Sequence, residues 1–121
     1  MLGNFKIIDV NERMANGTSL VGYITEDYST LVEVFGPPHI DQPSGDGKVH
    51  TEWNLEFTVQ EDGEEDTDTV IATIYDWKEE SAQVSRTTPK YQWHVGGHNK
   101  FDALECITQR ITDHFRKFGK K

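Results

Sequence analysis

Val49, Thr51, Trp53, Leu55, Phe57 and Val59 alternate with Lys48, His50, Glu52, Asn54, Glu56 and Thr58. A period of two with one apolar and one polar face predicts a long strand over 48–59, in an antiparallel sheet wetted on one side. Thr69 to Trp77 (TVIATIYDW) reads as a more fully buried strand, and Tyr91, Trp93 and Val95 alternate again as a third. Two further stretches take a period near 3.6. Tyr28, Leu31, Val32 and Phe35 draw one helical stripe, with Thr25 as N-cap, Glu26 and Asp27 in the first turn, and Gly36 followed by Pro37-Pro38 as the stop. Phe101, Leu104, Ile107, Ile111, Phe115 and Phe118 draw a longer stripe, opened by Asn99 and closed by Gly119 among Arg116, Lys117, Lys120 and Lys121. Earlier, FKIIDV (5–10) and Leu20–Ile24 are short β-prone runs, separated by a loop whose strongest turn signal is Asn16-Gly17. Lys78–Lys90 reads as a polar loop. The pattern predicts an α+β fold: an antiparallel β-meander of three to five strands with two helices packed on one face.

Composition narrows this picture. At 121 residues the chain suits a single domain, 1–121. Only 35% of residues are hydrophobic, but six Phe, four Tyr and three Trp supply large buried area each. No apolar run approaches the length of a membrane span, and MLGNFKIIDVNER lacks a leader's apolar stretch. One cysteine excludes a disulfide framework or a CxxC metal site. A formal charge of −9 argues against direct nucleic-acid binding, which needs cations to displace counterions.

Three places could carry chemistry. Six of the eight residues in 61–68 are acidic, so Glu61, Asp62, Glu64, Glu65 and Asp66 crowd what reads as a hairpin tip. The plain reading is a solvated turn that resists aggregation; the sharper one is an electrostatic lure for a basic partner. A calcium loop fits poorly, because the run lacks the alternating ligand spacing and twelve-residue frame of that motif. The run Tyr91–Asn99 passes from a strand through Gly96-Gly97 towards a helix. Its plain reading is a tight turn with an Asn cap. Its sharper reading is a nucleotide site, with backbone N–H groups converging at Gly96 and Gly97, His98 and Asn99 adding hydrogen bonds, and Trp93 stacking on a base. His94 and His98 straddle the glycines and do not share a helical face, so no metal site is expected, and no cofactor is implied. Cys106, beside the apolar stripe, reads as an inert half-buried thiol. Among the aromatic residues of the strands, Tyr75 and Trp77 share one face while Ala72 and Ile74 share the other. One of those faces is covered by helices, and the other is left to a neighbouring subunit or a partner.

GTSLVGYI (17–24), YSTLVEVFGPP (28–38), EWNLEF (52–57), ATIYDWK (72–78) and WHVGGHNKFDAL (93–104) together resemble a family of small, mostly uncharacterised proteins of tailed bacteriophages, often marine ones. The resemblance covers about residues 17 to 108 and transfers no catalytic role; the acidic tip and the end of the chain after Phe115 depart from it. It implies a small acidic accessory protein acting in the host cytoplasm, where proteins of this kind often bind host factors. The sequence therefore supports a non-enzymatic phage protein that binds and inhibits a host nucleic-acid-handling or defence protein, using the acidic tract and Trp77. The alternative is a module sequestering a signalling nucleotide at Gly96-Gly97. A homo-oligomer is compatible with both, and no membrane partner is expected.

Overall fold

The computed structural model describes residues 4–14, 17–99 and 102–119. Within them the elements run β1 (Phe5–Glu12), β2 (Ser19–Glu26), α1 (Tyr28–Phe35), β3 (Glu52–Glu61), β4 (Asp68–Tyr75), α2 (Ala82–Thr87), β5 (Tyr91–Gly97) and α3 (Asp102–Phe118). The strands form one antiparallel sheet in the order β1-β3-β4-β5-β2. The fold is α+β, and its centre is the expected meander of β3, β4 and β5.

Register decides which side chains meet the helices. Trp53 opposes Ile74, Leu55 opposes Ala72, and Ile74 opposes Val95, so these residues share one face of the sheet. All of them are buried, and Leu31 and Val34 of α1 and Ala103, Cys106, Ile107 and Ile111 of α3 join them in one core. Trp53 and Trp93 cross edge-to-face with centroids 5.5 Å apart, and Tyr28 of α1 lies over both. Each indole N–H finds a carbonyl: Trp53 donates to Gly36 O at 2.9 Å and Trp93 to Glu26 O at 2.9 Å. Both buried polar atoms are thereby satisfied. The stripe of the last helix packs through Leu104, Ile107, Ile111 and Phe115, but Phe118 at its end is 67% exposed; Phe101, Lys120, Lys121 and Asn16 lie outside the described residues.

Several expectations are corrected. The strand foreseen over 48–59 begins at Glu52, because residues 50 and 51 direct their N–H groups to the Asp76 carboxylate instead of a neighbouring strand. The first helix begins at Tyr28, not Glu26. β2 extends through Glu26, and Asp27 occupies the N-cap position, with its Oδ1 accepting from Lys90 N–H at 2.7 Å. Residues 78–90 are not all loop, since α2 lies within them. Gly96 and Gly97 are not a turn but the last two residues of β5.

The two strands nearest the N-terminus sit at opposite edges of the sheet. Their connection, residues 13–18, must therefore cross four inter-strand spacings, roughly 19 Å. Arg13 N–H bonds to Asn54 O at 3.2 Å at one end. At the other, a Cβ added to Gly96 would lie 3.3 Å from Thr18 Oγ1. Arg13 thus lies beside Asn54 and Thr18 beside Gly96, and Asn54 and Thr73 are buried on the face opposite the helices.

Candidate functional site: the ring cluster on the open sheet face

Because side chains alternate, the residues between the core positions point away from the helices. In β5 this sends His94 outward between Trp93 and Val95; its neighbours in register are Tyr23 of β2 and Tyr75 of β4. Tyr23 meets His94 edge-on at 4.9 Å between centroids, and Tyr75 lies 5.5 Å from it. Trp77 completes the group, 5.9 Å from His94 and 6.2 Å from Tyr75. Tyr23 is 49% exposed and Trp77 36% exposed. Lys48 and Lys78 each place an ammonium 5.8 Å from the Trp77 ring centroid, within cation–π reach. Four rings thus form a semi-exposed patch bordered by two cations.

The electrostatics of the patch follow from partial burial. Desolvation holds the His94 imidazole below its ordinary value, the Glu79 charge opposing the shift, and its Nδ1 is buried with no hydrogen-bond partner among the described residues. Desolvation also raises the Glu52 carboxyl, which stands opposite Tyr75 in register; a bond from Asn54 works against that shift and the Asp76 charge adds to it. Burial raises the Tyr75 phenol as well. The patch therefore presents a neutral imidazole at pH 7. Below pH 6.5 the unfolded chain binds a proton on this ring that the folded chain resists, so stability should erode as pH falls. Glu52 acts oppositely, favouring the folded state below 4.5 and losing that contribution as pH rises through its raised value. Urea unfolding of wild type and His94→Asn between pH 5 and 7.5 should separate them. The variant is expected to lose the part of the slope that steepens below 6.5.

Asp76, between Tyr75 and Trp77, anchors this end of the sheet from beneath. Its carboxylate is fully buried and accepts from His50 N–H at 2.7 Å, Thr51 N–H at 3.0 Å and Ser85 Oγ–H at 2.9 Å. It ties α2 and the approach to β3 to the end of β4, setting where Trp77 emerges. Arg86 of α2 reinforces the junction, donating to Thr51 Oγ1 and pairing with Asp41.

The residues singled out from sequence are not gathered in one place. Trp77 belongs to the ring patch. Glu61 ends β3, and Asp62, Glu64, Glu65 and Asp66 form the exposed turn at the far end of the same hairpin. Nine strand-like rises separate Asp68 from Trp77, roughly 30 Å. The expected nucleotide turn is rearranged more deeply. Trp93 has no exposed surface and cannot stack on a ligand. Gly96 and Gly97 are flanked by β2 on one side and β4 on the other, so their backbone is enclosed by strand pairing. Their missing side chains serve packing: a Cβ on Gly97 would sit 2.8 Å from Ala103 Cβ of α3, and one on Gly96 would collide with Thr73 Oγ1. His98 and Asn99 are exposed, and Asn99 Oδ1 accepts from Asp102 N–H at 3.2 Å, a helix-start bond.

The remaining histidines work separately. His39 Nδ1 accepts from Asn54 N–H at 2.8 Å, His50 Nε2 lies 3.0 Å from Glu79 O, and His114 pairs with Glu33 at 2.8 Å. No group of three or more His, Cys, Asp or Glu suited to a metal ion occurs among the described residues. Cys106 is wholly buried, and burial pushes its thiol up to about 12, with the charges of Asp102 and Glu105 adding to the shift. Sequence reasoning weighed His94 only as a metal ligand and passed over Tyr23 and Asp76. The first two were accessible by parity, since each alternates with a core residue. No family model, curated protein or solved structure matches the chain.

Proposed function

We propose that the protein is a non-enzymatic binding protein whose open sheet face docks a partner protein through Tyr23, Tyr75, Trp77 and His94. One observation carries this reading. Two of the three tryptophans are fully buried, while the third stands exposed in a four-ring patch on the face that the helices leave uncovered. Semi-exposed Trp and Tyr are the side chains that most often anchor protein interfaces. The phage resemblance makes a host nucleic-acid-handling or defence protein the partner, and inhibition the outcome. The acidic turn supplies a second, separate contribution, long-range attraction to a basic surface. A deeply buried Cys106 held in its thiol form fits a role without nucleophilic chemistry. Sequestration of a nucleotide at Gly96-Gly97 has less behind it, because those backbones are enclosed and Trp93 is inaccessible.

The distance between turn and patch makes the two contributions separable. With a partner captured from host lysate and immobilised, Trp77→Ala should speed dissociation at least about tenfold, as loss of a buried aromatic anchor does. Neutralising Asp62, Glu64, Glu65 and Asp66 to Asn or Gln should instead slow association several-fold and flatten its salt dependence, because screening shortens from ~10 Å at 0.1 M to ~3 Å at 1 M. Surface plasmon resonance at two salt concentrations reads both rates. Dissociation unchanged in Trp77→Ala would remove the ring patch from the interface.

A further inference from the structure

We infer that the protein pairs with a second copy of itself through the outer edge of β2, extending the sheet antiparallel across a twofold axis. An edge strand exposes a row of unpaired N–H and C=O groups, and monomeric sheets blunt such edges with charge, proline or bulges. β1, at the other edge, is blunted by charge: it carries Lys6, Asp9 and Glu12 on either side of a register break between Ile7 and Asp9. β2 is not. Ser19 to Thr25 holds no charge and no proline, and its one irregularity, between Leu20 and Gly22, leaves Gly22 to Glu26 in unbroken register. Leu20 and Tyr23 on this strand are 50% and 49% exposed. Beside the edge, Ile24, Ile111 and Phe115 line a hollow of about 760 Å³ between β2 and α3.

The pattern of β2 suits its own copy. Residues opposed across an antiparallel pair share a face, so a twofold axis must pass through a residue position. The unbroken run is centred on Ile24. Pairing there sets Tyr23 opposite Thr25 of the second copy, an aromatic against a β-branched side chain, on both sides of the axis. It also sets Glu26 opposite Gly22 and brings the two Ile24 side chains together where the hollows meet. No like charges face each other in this register. The acidic turn, between β3 and β4, is separated from the edge by β5, so the charge of −9 is not concentrated at the contact. The inference does not depend on the docking reading, although it would place two ring patches side by side on one continuous sheet face.

Sedimentation velocity of the full chain from about 1 to 200 µM tests it. The expected species is a dimer of the 13.9 kDa chain, with a melting temperature that rises with concentration. Tyr23→Lys/Thr25→Lys, both at exposed positions, should weaken dimerisation at least about tenfold and abolish that dependence, because lysines then oppose one another across the axis. Tyr23→Cys/Thr25→Cys, with native Cys106 buried, should form an intermolecular disulfide under mild oxidation. A monomer at every concentration overturns the inference. So does a dimer of unchanged strength in the lysine variant, or one that the cysteine pair fails to cross-link.

Discussion

Replacing Asp76 with alanine is expected to lower the unfolding free energy by about 3–5 kcal/mol, the scale for removing one member of a buried charged network. The carboxylate has no exposed surface and accepts three hydrogen bonds, two of them from the backbone of residues 50 and 51. Without it, the Thr51 N–H is left buried and unpaired, the half-buried His50 N–H loses its acceptor, and Ser85 Oγ keeps only its bond to Ala82 O. Each orphaned buried donor costs on the order of 1–3 kcal/mol. Asp76→Asn keeps one acceptor oxygen and should fall between. The loss should extend beyond stability, because Asp76 fixes the end of β4 from which Trp77 projects. Urea unfolding followed by Trp fluorescence checks the first point. Partner dissociation, measured where the variant remains folded, checks the second. A loss below about 1 kcal/mol would mean that α2 and residues 48–51 do not depend on this carboxylate.

Trp93→Ala should cost a similar amount, about 3–5 kcal/mol, the range for truncating a large buried ring. The indole contacts Trp53 at 5.5 Å, Tyr91 at 4.8 Å and Tyr28 at 6.4 Å between centroids, and it is enclosed on every side. Trp93→Phe would retain most of the volume but leave Glu26 O without the indole donor, so a smaller loss of about 1–2 kcal/mol is expected. This pair of variants also tests the nucleotide reading of the same residue. A Trp that stacked on a ligand could be truncated with little effect on folding. Chemical denaturation midpoints of the two variants against wild type decide the matter.

Local pattern was sufficient for the meander and its two long helices because face membership in a strand or helix depends only on residues within a few positions. Alternation over Trp53–Val59 and the stripe from Leu104 to Phe118 each repeat often enough to outweigh an exception. Six residues of α2 do not complete two turns, so no period could reveal it. It persists because Ser85 bonds Asp76 and Arg86 reaches Thr51 and Asp41. The glycines misled for a related reason. Gly-Gly commonly marks a turn, but whether it breaks a strand or admits a close neighbour depends on what packs against it, here Ala103 and Thr73.

By itself, the sequence determined that Tyr75 and Trp77 lie on the face opposite Ala72 and Ile74, and that the acids at 61–68 cap a hairpin. Parity and polarity are properties of adjacent residues. Only the tertiary structure decided which face the helices cover, and that β1 and β2 take opposite edges of the sheet. It alone brought Tyr23 and His94 to Tyr75 and Trp77, and led a carboxylate at 76 to bind backbone 25 and 26 positions away. Those arrangements are set by which strands pair and which surfaces bury each other. Contacts between segments far apart in the chain leave no periodic trace in either one alone.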